Sequence, residues 1–296
     1  MTQPPRTATL IVNTLSRKGS DMFDQACQLL IAGGVTLDAH PLDDPKELTS
    51  TVEKAVSDGA EMIIVGGGDG SLSSSVDFLA GTDVVFALLP LGTANSFARS
   101  VGIPLDLEGA VDVIVNGNVR KVDLGMIDDD YYANCAAIGL APLIAETVPH
   151  WLKRWFGRLG YLTWAAVSLV RFKPFILYVD GEKIRALEVR IANGAYQGGT
   201  EVVDDADVMS GEIVVQAVLG TTRRALLWSW LASTLRLPHR KQTTREFRGT
   251  SIRVETVPRL PISIDGEIAA RTPVTAHVAS RTMKMVVPRQ SVTLAQ

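Results

Sequence analysis

The first 120 residues alternate short apolar runs with longer amphipathic segments, which predicts alternating strands and helices. The predicted strands cover 8–12, 35–39, 62–65 and 84–89, and the predicted helices cover 21–31, 45–57 and 72–79, with a short helix from Ser96. Helical connections of this length join parallel strands, so we predict a doubly wound, Rossmann-like parallel sheet covered on both faces. Ligands bind such sheets at the carboxyl ends of the strands.

Beyond about residue 120 the pattern changes to short alternating strands. Hairpins are predicted around Asp128–Asp130, joining 122–127 to 131–136, and around Asp180-Gly181, joining 175–179 to 187–191. Further strands are predicted at 212–218, 251–256, 261–264, 275–278 and 283–287, and two helical inserts at 150–172 and 222–235. We therefore predict an α/β domain over 1–125 and a β-rich sandwich domain over 126–287, with residues 288–296 packing back on the first domain.

Composition narrows the class of protein. The 296 residues are 46% hydrophobic and 21% charged, which excludes a disordered chain and suffices for two domains. A net charge of −3 gives no reason to expect nucleic-acid binding. The N-terminus lacks an apolar signal segment, and the longest apolar windows are shorter than the roughly 20 residues of a membrane span. Cys27 and Cys135 lie in apolar sequence and are predicted to be buried free thiols, which favours the cytoplasm.

A glycine-rich turn is the clearest chemical signal in the chain. Residues 66–71 read Gly-Gly-Gly-Asp-Gly-Ser and join a predicted buried strand to a predicted helix. We predict that the N–H groups of Gly67, Gly68 and Gly70, with the Ser71 hydroxyl, bind phosphate. The alternative is that these glycines serve only tight turns and helix packing. Asp69 favours phosphate chemistry, because a carboxylate at an anion site calls for a metal or a substrate hydroxyl beside it.

Two other loops follow predicted strands at the same edge. In the first loop, 13–19, Asn13, Ser16 and Arg17 can form a turn, donate hydrogen bonds and attract phosphate, although an ordinary solvated loop has the same composition. In the third loop, 90–95, Gly92, Thr93 and Asn95 supply neutral polar groups near a helix start. A plain turn followed by a helix N-cap would read similarly.

The third loop continues as Pro-Leu-Gly-Thr-Ala-Asn-Ser-Phe-Ala over 90–98, and with the other two loops it resembles the diacylglycerol kinase catalytic-domain family, which includes bacterial lipid kinases and the sphingosine and ceramide kinases. Further landmarks follow in the family's order: Asp123, Asn134, Gly139, 159–162, Asn193-Gly194 and Asp265-Gly266-Glu267. The resemblance implies an N-terminal fold like that of NAD kinases and phosphofructokinases. It also implies ATP and Mg²⁺ as cofactors, and phosphoryl transfer to a lipid hydroxyl in a cleft between the domains.

The resemblance also implies roles for individual residues. Glu267 matches the family's catalytic base, and Asp69 and Asp123 are expected to be catalytic carboxylates that hold Mg²⁺ directly or through water. The tripeptide Asp-Gly-Glu occurs a second time at 180–182, inside a predicted hairpin that needs no chemistry. Only order and context therefore single out Glu267.

The chain departs from the family pattern at three places. Thr14 stands where proline is usual, and Ser96 stands where an aspartate usually follows Asn95. Bacterial relatives often have an accessory metal site in the β domain, and here Ser210 replaces its aspartate. The candidate ligands at that site are Asp207, Ser210 and Glu212, unless this stretch is only a solvated turn.

The sequence gives weaker signals for the segments that would contact the lipid acceptor. Two segments, 150–158 and 223–230, mix tryptophan with basic residues, which suits an anionic lipid surface but also an amphipathic helix packed on the β domain. The expected partner is a lipid at the inner membrane face. The rivals are an NAD kinase or sugar kinase of the same superfamily and a catalytically silent lipid-binding module. The sequence does not specify which lipid is the acceptor or whether ATP is preferred over GTP. It also leaves the oligomeric state open, with a homodimer as one of the alternatives.

Overall fold

The computed structural model describes residues 2–14, 17–147, 164, 168, 172–222, 224–226, 243–264 and 267–289, without the side chains of 17–19, 141 and 145. Contacts divide the chain into two units. The first comprises Met1–Leu124, Tyr196–Gly199 and Ala279–Gln296, and the second comprises Gly125–Ala195 and Thr200–Val278. Most of the two predicted helical inserts, and residues 290–296, lie outside the described residues.

The first unit alternates strands and helices as its sequence pattern predicts. Its elements are β1 (Thr7–Asn13), α1 (Arg17–Ala32), β2 (Thr36–Leu42), α2 (Glu47–Ser57), β3 (Met62–Gly67), α3 (Asp69–Leu79), β4 (Val85–Pro90), α4 (Ser96–Ser100), α5 (Leu107–Asn116) and the first part of β5 (Asn118–Ile127). Strands pair in the order β2–β1–β3–β4, all parallel. Ile63, Ile64 and Val65 in β3 are fully buried, which explains the uninterrupted apolar run of a central parallel strand. The predicted doubly wound sheet is confirmed.

Two local features of the first unit differ from prediction. Helix α3 begins at Asp69 rather than at residue 72, because Gly68 is extended (φ −104°, ψ −165°) and acts as the N-cap. Helix α5 was not predicted, although Asp106 precedes its apolar face and accepts a hydrogen bond from the Gly109 amide at 2.8 Å.

The second unit is rich in antiparallel strands. Its elements are the rest of β5, β6 (Asp130–Tyr132), β7 (Cys135–Ile138), α6 (Leu140–Thr147), β8 (Phe175–Val179), β9 (Glu182–Ala192), β11 (Thr200–Glu201), β12 (Ile213–Leu219), β13 (Thr244–Gly249), β14 (Ser251–Val257), β15 (Pro261–Ile264), β16 (Glu267–Arg271) and the first part of β17 (Val274–Val287). Strand β10 (Tyr196–Gln197) lies in the first unit. Strands pair in the order β16–β15–β7–β9–β8–β14–β17, and β12 and β13 extend from β9. The β-rich, sandwich-like second domain is confirmed.

The core of the second unit follows the two-residue period of its strands. In β9, Leu187, Val189 and Ile191 are fully buried in one apolar cluster with residues of the neighbouring strands. Arg190, on the opposite face of β9, is also buried and donates a hydrogen bond to Gln216 of β12 at 2.8 Å. The polar face is therefore held by side-chain hydrogen bonds across adjacent strands.

The predicted hairpin between β8 and β9 is confirmed. Asp180 (φ +48°) and Gly181 (φ +86°) form its two-residue turn, and Val179 is paired with Glu182. The predicted strand 131–136 is instead two short strands, β6 and β7.

The C-terminal strand differs from prediction as well. The two strands predicted at 275–278 and 283–287 are one strand, β17, in which Arg281 has a left-handed conformation (φ +52°). The first part of β17 pairs with β14, and Lys284 and Met285 pair in parallel with β4. Strands β13 and β16 were not predicted, because their largely exposed residues lack a clear apolar alternation.

Candidate active site

Strands β1, β3 and β4 end side by side, so the three loops that follow them start at one edge of the sheet. The register aligns Val12 with Gly66 and Gly67 with Pro90. This alignment confirms the prediction that the loops share the carboxyl edge of the parallel sheet, where ligands bind.

The second and third loops are in direct contact. The Gly67 carbonyl accepts hydrogen bonds from the amides of Leu91 and Gly92 at 2.9 and 3.2 Å. A Cβ atom on Gly92 would lie 2.5 Å from the Cα of Gly68. The packing alternative therefore accounts for Gly68 and Gly92, since any side chain there would separate the two loops.

Packing does not account for Gly70. Among the described residues, a Cβ atom at this position would have no neighbour within 4 Å, and Gly70 is exposed in the first turn of α3. The other described glycines with open space around them have positive φ values, whereas Gly70 does not. Because the first amide groups of a helix have no partner within the helix, Gly70 leaves room for an anion to approach the N-terminus of α3.

Asp69 joins the second loop to helix α4. Its carboxylate accepts hydrogen bonds from the backbone amides of Ser96 at 3.0 Å and Phe97 at 3.1 Å. A negative charge at a helix N-terminus is stabilised by these N–H groups and by the helix dipole. The carboxylate that seemed out of place in a phosphate loop thus has a structural partner, which lies 27 residues further along the chain.

Asn95 gives the third loop its shape. This residue is buried and left-handed (φ +47°). Its side-chain amide donates to the carbonyls of Pro90 at 3.0 Å and Gly92 at 2.9 Å, and its side-chain oxygen accepts from the Gly92 amide at 3.0 Å. Asn95 occupies the N-cap position of α4, but its side chain makes no capping hydrogen bond, and Asp69 accepts from the first amides of the helix instead. Thr93, at the tip of the loop, is exposed.

The first loop is described only at its start. The Thr14 amide donates to the Leu42 carbonyl at 2.8 Å, a bond that the proline usual in the family could not make. This hydrogen bond continues the β1–β2 pairing and explains why threonine fits here. Asn13 is the last residue of β1, whereas Ser16 and the Arg17 side chain lie outside the described residues.

Asp123 lies at the other end of α3 from Asp69. It is buried in β5 and accepts hydrogen bonds from the Arg281 amide at 2.6 Å and the Ser280 hydroxyl at 3.1 Å. The carbonyl of the next residue, Thr282, accepts from the amide of Gly81, which follows α3. Asp69 and Asp123 therefore each remain a predicted magnesium ligand, directly or through water.

Glu267 belongs to the second unit. It is the exposed first residue of β16 and is paired with Ile264, and the Asp265-Gly266 turn between them lies outside the described residues. Glu182, in the second Asp-Gly-Glu tripeptide, likewise begins a strand and forms an ion pair with Arg245 at 2.5 Å. The two glutamates have similar local settings, so local structure does not distinguish a catalytic base.

The predicted accessory metal site forms a compact turn. The Ser210 hydroxyl donates to the carbonyls of Asp207 at 2.8 Å and Glu212 at 3.2 Å, and the Asp207 carboxylate accepts from the Met209 amide at 2.9 Å. In the described part of the chain, three or more His, Cys, Asp or Glu side chains nowhere come together as a metal-binding group. The solvated-turn alternative accounts for this stretch, and metal binding there remains a prediction.

Two hydrogen bonds of helix α4 were not predicted from the sequence. The Ser96 hydroxyl accepts a hydrogen bond from the Gly199 amide at 3.1 Å, and the Ser100 hydroxyl accepts from the Tyr196 amide at 3.4 Å. The adjacent glycines Gly198 and Gly199, which both have positive φ, are a sequence signal for a tight turn. They give no signal that this turn contacts helix α4.

The two halves of the chain match two family models. Residues 7–127 match the diacylglycerol kinase catalytic domain, and residues 135–287 match the YegS C-terminal NAD kinase beta sandwich-like domain. The chain therefore belongs to the family of lipid kinases that combine these two domains. Among the described residues, none of the helices has both the length and the hydropathy needed to cross a bilayer.

Individual relatives match most of the chain. A diacylglycerol kinase of Mycobacterium tuberculosis is 27% identical over 93% of this chain and 87% of its own length. A probable lipid kinase YegS-like protein of Enterobacter is 31% identical over 68% of this chain and 71% of its own. A crystal structure of a putative diacylglycerol kinase from Bacillus anthracis superposes with a TM-score of 0.78 at 22% identity, covering 97% of both chains, which establishes the fold.

Proposed function

We propose that this protein is an ATP-dependent lipid kinase that transfers the γ-phosphate to a hydroxyl group of a diacylglycerol-like lipid. The observation that carries the proposal is the loop edge, where three loops begin side by side and Gly70 leaves the N-terminus of α3 open to an anion. The family relationship supports a lipid acceptor. Because ATP is the donor, the proposed place of action is the cytoplasmic face of the membrane.

The proposed site begins with the groups that would contact phosphate. The amides of Gly67, Gly68 and Gly70 would bind phosphate oxygens together with the Ser71 hydroxyl, since a helix N-terminus and a glycine loop favour negative charge. Gly92, Thr93 and Asn95 form the adjacent loop, in which the exposed Thr93 can contact the nucleotide directly. Asn95 acts through the loop shape, because its side-chain amide is already bonded to Pro90 and Gly92. Asn13, Ser16 and Arg17 would complete the edge from the first loop.

Asp69 fits a magnesium site. A carboxylate has about four acceptor positions, so two amide bonds from α4 leave room for a metal or its water. Mg²⁺ bound there, or through water at Asp123, would neutralise charge on the transferred phosphate, which is the main requirement of phosphoryl transfer. The fixed position of Asp69 is useful in itself, since a carboxylate held by two N–H groups does not need to reorganise during the reaction.

Glu267 is the proposed general base. Its exposed carboxylate would accept the proton of the lipid hydroxyl as the oxygen attacks phosphorus. This role requires Glu267 to reach the acceptor hydroxyl while ATP is bound. General-base catalysis contributes about 10²- to 10⁴-fold to rate, so loss of the base should lower kcat by a similar factor.

The experiment compares Glu267→Gln with Glu182→Gln as a matched control. Both glutamates follow Asp-Gly and are the exposed first residues of their strands, so both substitutions remove one surface charge. The proposal expects Glu267→Gln to lose about 100-fold or more in kcat with an unchanged melting temperature, and Glu182→Gln to retain wild-type kcat. Equal kcat values for the two variants would contradict the role of Glu267.

A further inference from the structure

We propose that the turn Tyr196–Gly199 is a fourth element of the nucleotide site and that Ser96 is the residue that positions it. This inference rests on the proposed function, since it assumes that the loop edge binds ATP. The chain before and after these residues belongs to the second unit, yet the turn itself belongs to the first.

The turn is fixed at both of its ends. The Gly199 amide donates to the Ser96 hydroxyl at 3.1 Å, and the Tyr196 amide donates to the Ser100 hydroxyl at 3.4 Å. The two serines are one helical turn apart on α4, so they present their hydroxyl groups on the same side of the helix.

The turn also lies against the tip of the third loop. A Cβ atom on Gly199 would be 3.3 Å from the carbonyl oxygen of Ala94, and Gly199 has a φ of +79°. Both the close approach and the left-handed backbone require glycine here. Ala94 follows Thr93, the exposed residue proposed to contact the nucleotide. A nucleotide held by Thr93 is therefore bound next to the turn.

Ser96 connects the turn to the phosphate loops. Its amide donates to Asp69 at 3.0 Å, while its hydroxyl accepts from Gly199, and the residue is only 3% exposed. One buried residue thus bonds the second loop through its backbone and the turn through its side chain. Because the two bonds use different parts of Ser96, a substitution of the side chain removes the contact with the turn and keeps the contact with Asp69.

The consequence is a positioning role that can be separated from catalysis. In Ser96→Ala the Gly199 amide loses its acceptor, so the Gly199 end of the turn is released from α4 while Asp69 still caps the helix. We expect ATP to bind about five- to tenfold more weakly, the effect of one lost hydrogen bond of about 1 kcal/mol. The value of kcat at saturating ATP should stay within about twofold of wild type, since the proposed reacting groups are unchanged.

The test measures ATP binding in the absence of lipid by titration calorimetry, with hydrogen exchange of residues 196–199 as the second readout. Ser96→Thr keeps the hydroxyl and should restore affinity to about wild type. Ser57→Ala is the control, because Ser57 is an exposed helical serine whose hydroxyl bonds only within α2, to the Glu53 carbonyl at 2.9 Å. Ser100→Ala, which releases the other end of the turn, serves if Ser96→Ala proves unstable.

Bound ATP should slow exchange in 196–199 of the wild type, and slow it less in Ser96→Ala. The inference would be overturned if both Ser96→Ala and Ser100→Ala bound ATP with wild-type affinity, or if ATP did not change the hydrogen-exchange rate of residues 196–199. Either result would leave the proposed function unaffected. A wild-type protein that binds no ATP would contradict both.

Discussion

Gly70→Ala separates a phosphate-binding role of the glycine turn from a structural one. The added methyl group would meet no atom of the described residues within 4 Å, and the φ of Gly70 is not positive. The folded state therefore gains no strain, and replacing glycine by alanine in a helix stabilises it by up to about 1 kcal/mol. If the turn served only the fold, this substitution would be neutral or favourable.

The effect on catalysis should have the opposite sign. A methyl group at the open N-terminus of α3 occupies the space through which a phosphate oxygen would approach the Gly70 amide. A displacement of about 1 Å in a positioned reactant costs about 100-fold in rate, which corresponds to about 2.7 kcal/mol of transition-state stabilisation. We expect Gly70→Ala to lose about 100-fold in kcat/KM for ATP while its melting temperature stays equal or rises.

The assay measures kinase activity per folded molecule together with thermal unfolding. Gly59→Ala is the contrasting variant, because Gly59 also has open space around it but has a φ of +80°. A side chain in the left-handed region costs about 1–2 kcal/mol, so Gly59→Ala should lose stability and keep its kcat/KM. Wild-type kcat/KM in Gly70→Ala would refute the reasoning, because it would show that no phosphate approaches this amide.

Three further predictions concern the site and its support. Ser96→Asp places a second carboxylate beside Asp69, so the melting temperature of the variant in EDTA should fall below that of wild type. Adding Mg²⁺ should raise the melting temperature of the variant more than that of wild type. Equal increases in the two proteins would count against a metal near Asp69. Asn95→Ala removes three hydrogen bonds inside the third loop and should lower the free energy of unfolding in urea by about 3 kcal/mol, whereas a loss near zero would show that the loop does not depend on them. Burial raises the pKa of Tyr132 well above 10.0, so the unfolded chain releases this proton at lower pH and stability falls above pH 10. Tyr132→Phe also removes a buried hydroxyl that has no hydrogen-bond partner among the described residues, so the variant should be about 1 kcal/mol more stable at pH 7 and lose less stability between pH 10 and 12; a steeper loss would contradict the assignment.

Apolar patterning was enough to predict the framework of both units. The buried run Met62–Val65 and the alternation in β9 depend on burial, which the period of hydrophobic residues reports directly. Strand β16 was missed for the same reason, because its residues are largely exposed and no period distinguishes them. Helix α3 was predicted to begin too late, because its N-cap residue, Gly68, has no capping side chain that could be recognised in the sequence.

The chemistry of the site was only partly predictable. Motifs located Asp69 and the loop edge, but the contact that holds Asp69 spans 27 residues and depends on where β4 ends. Ser96 was noted only as a departure from the family pattern. Its bond to Gly199 spans 103 residues and follows from tertiary structure alone.

The central claim is transfer of phosphate from ATP to a lipid, and one measurement tests it most directly. The wild-type protein is incubated with γ-labelled ATP, Mg²⁺, vesicles containing diacylglycerol, and NAD and a hexose as competing soluble acceptors, and the labelled products are then identified. The account predicts that the label appears in a phospholipid that forms only with wild-type protein and is reduced about 100-fold in Glu267→Gln. Label in NAD or the sugar, or vesicle binding without any consumption of ATP, would contradict it.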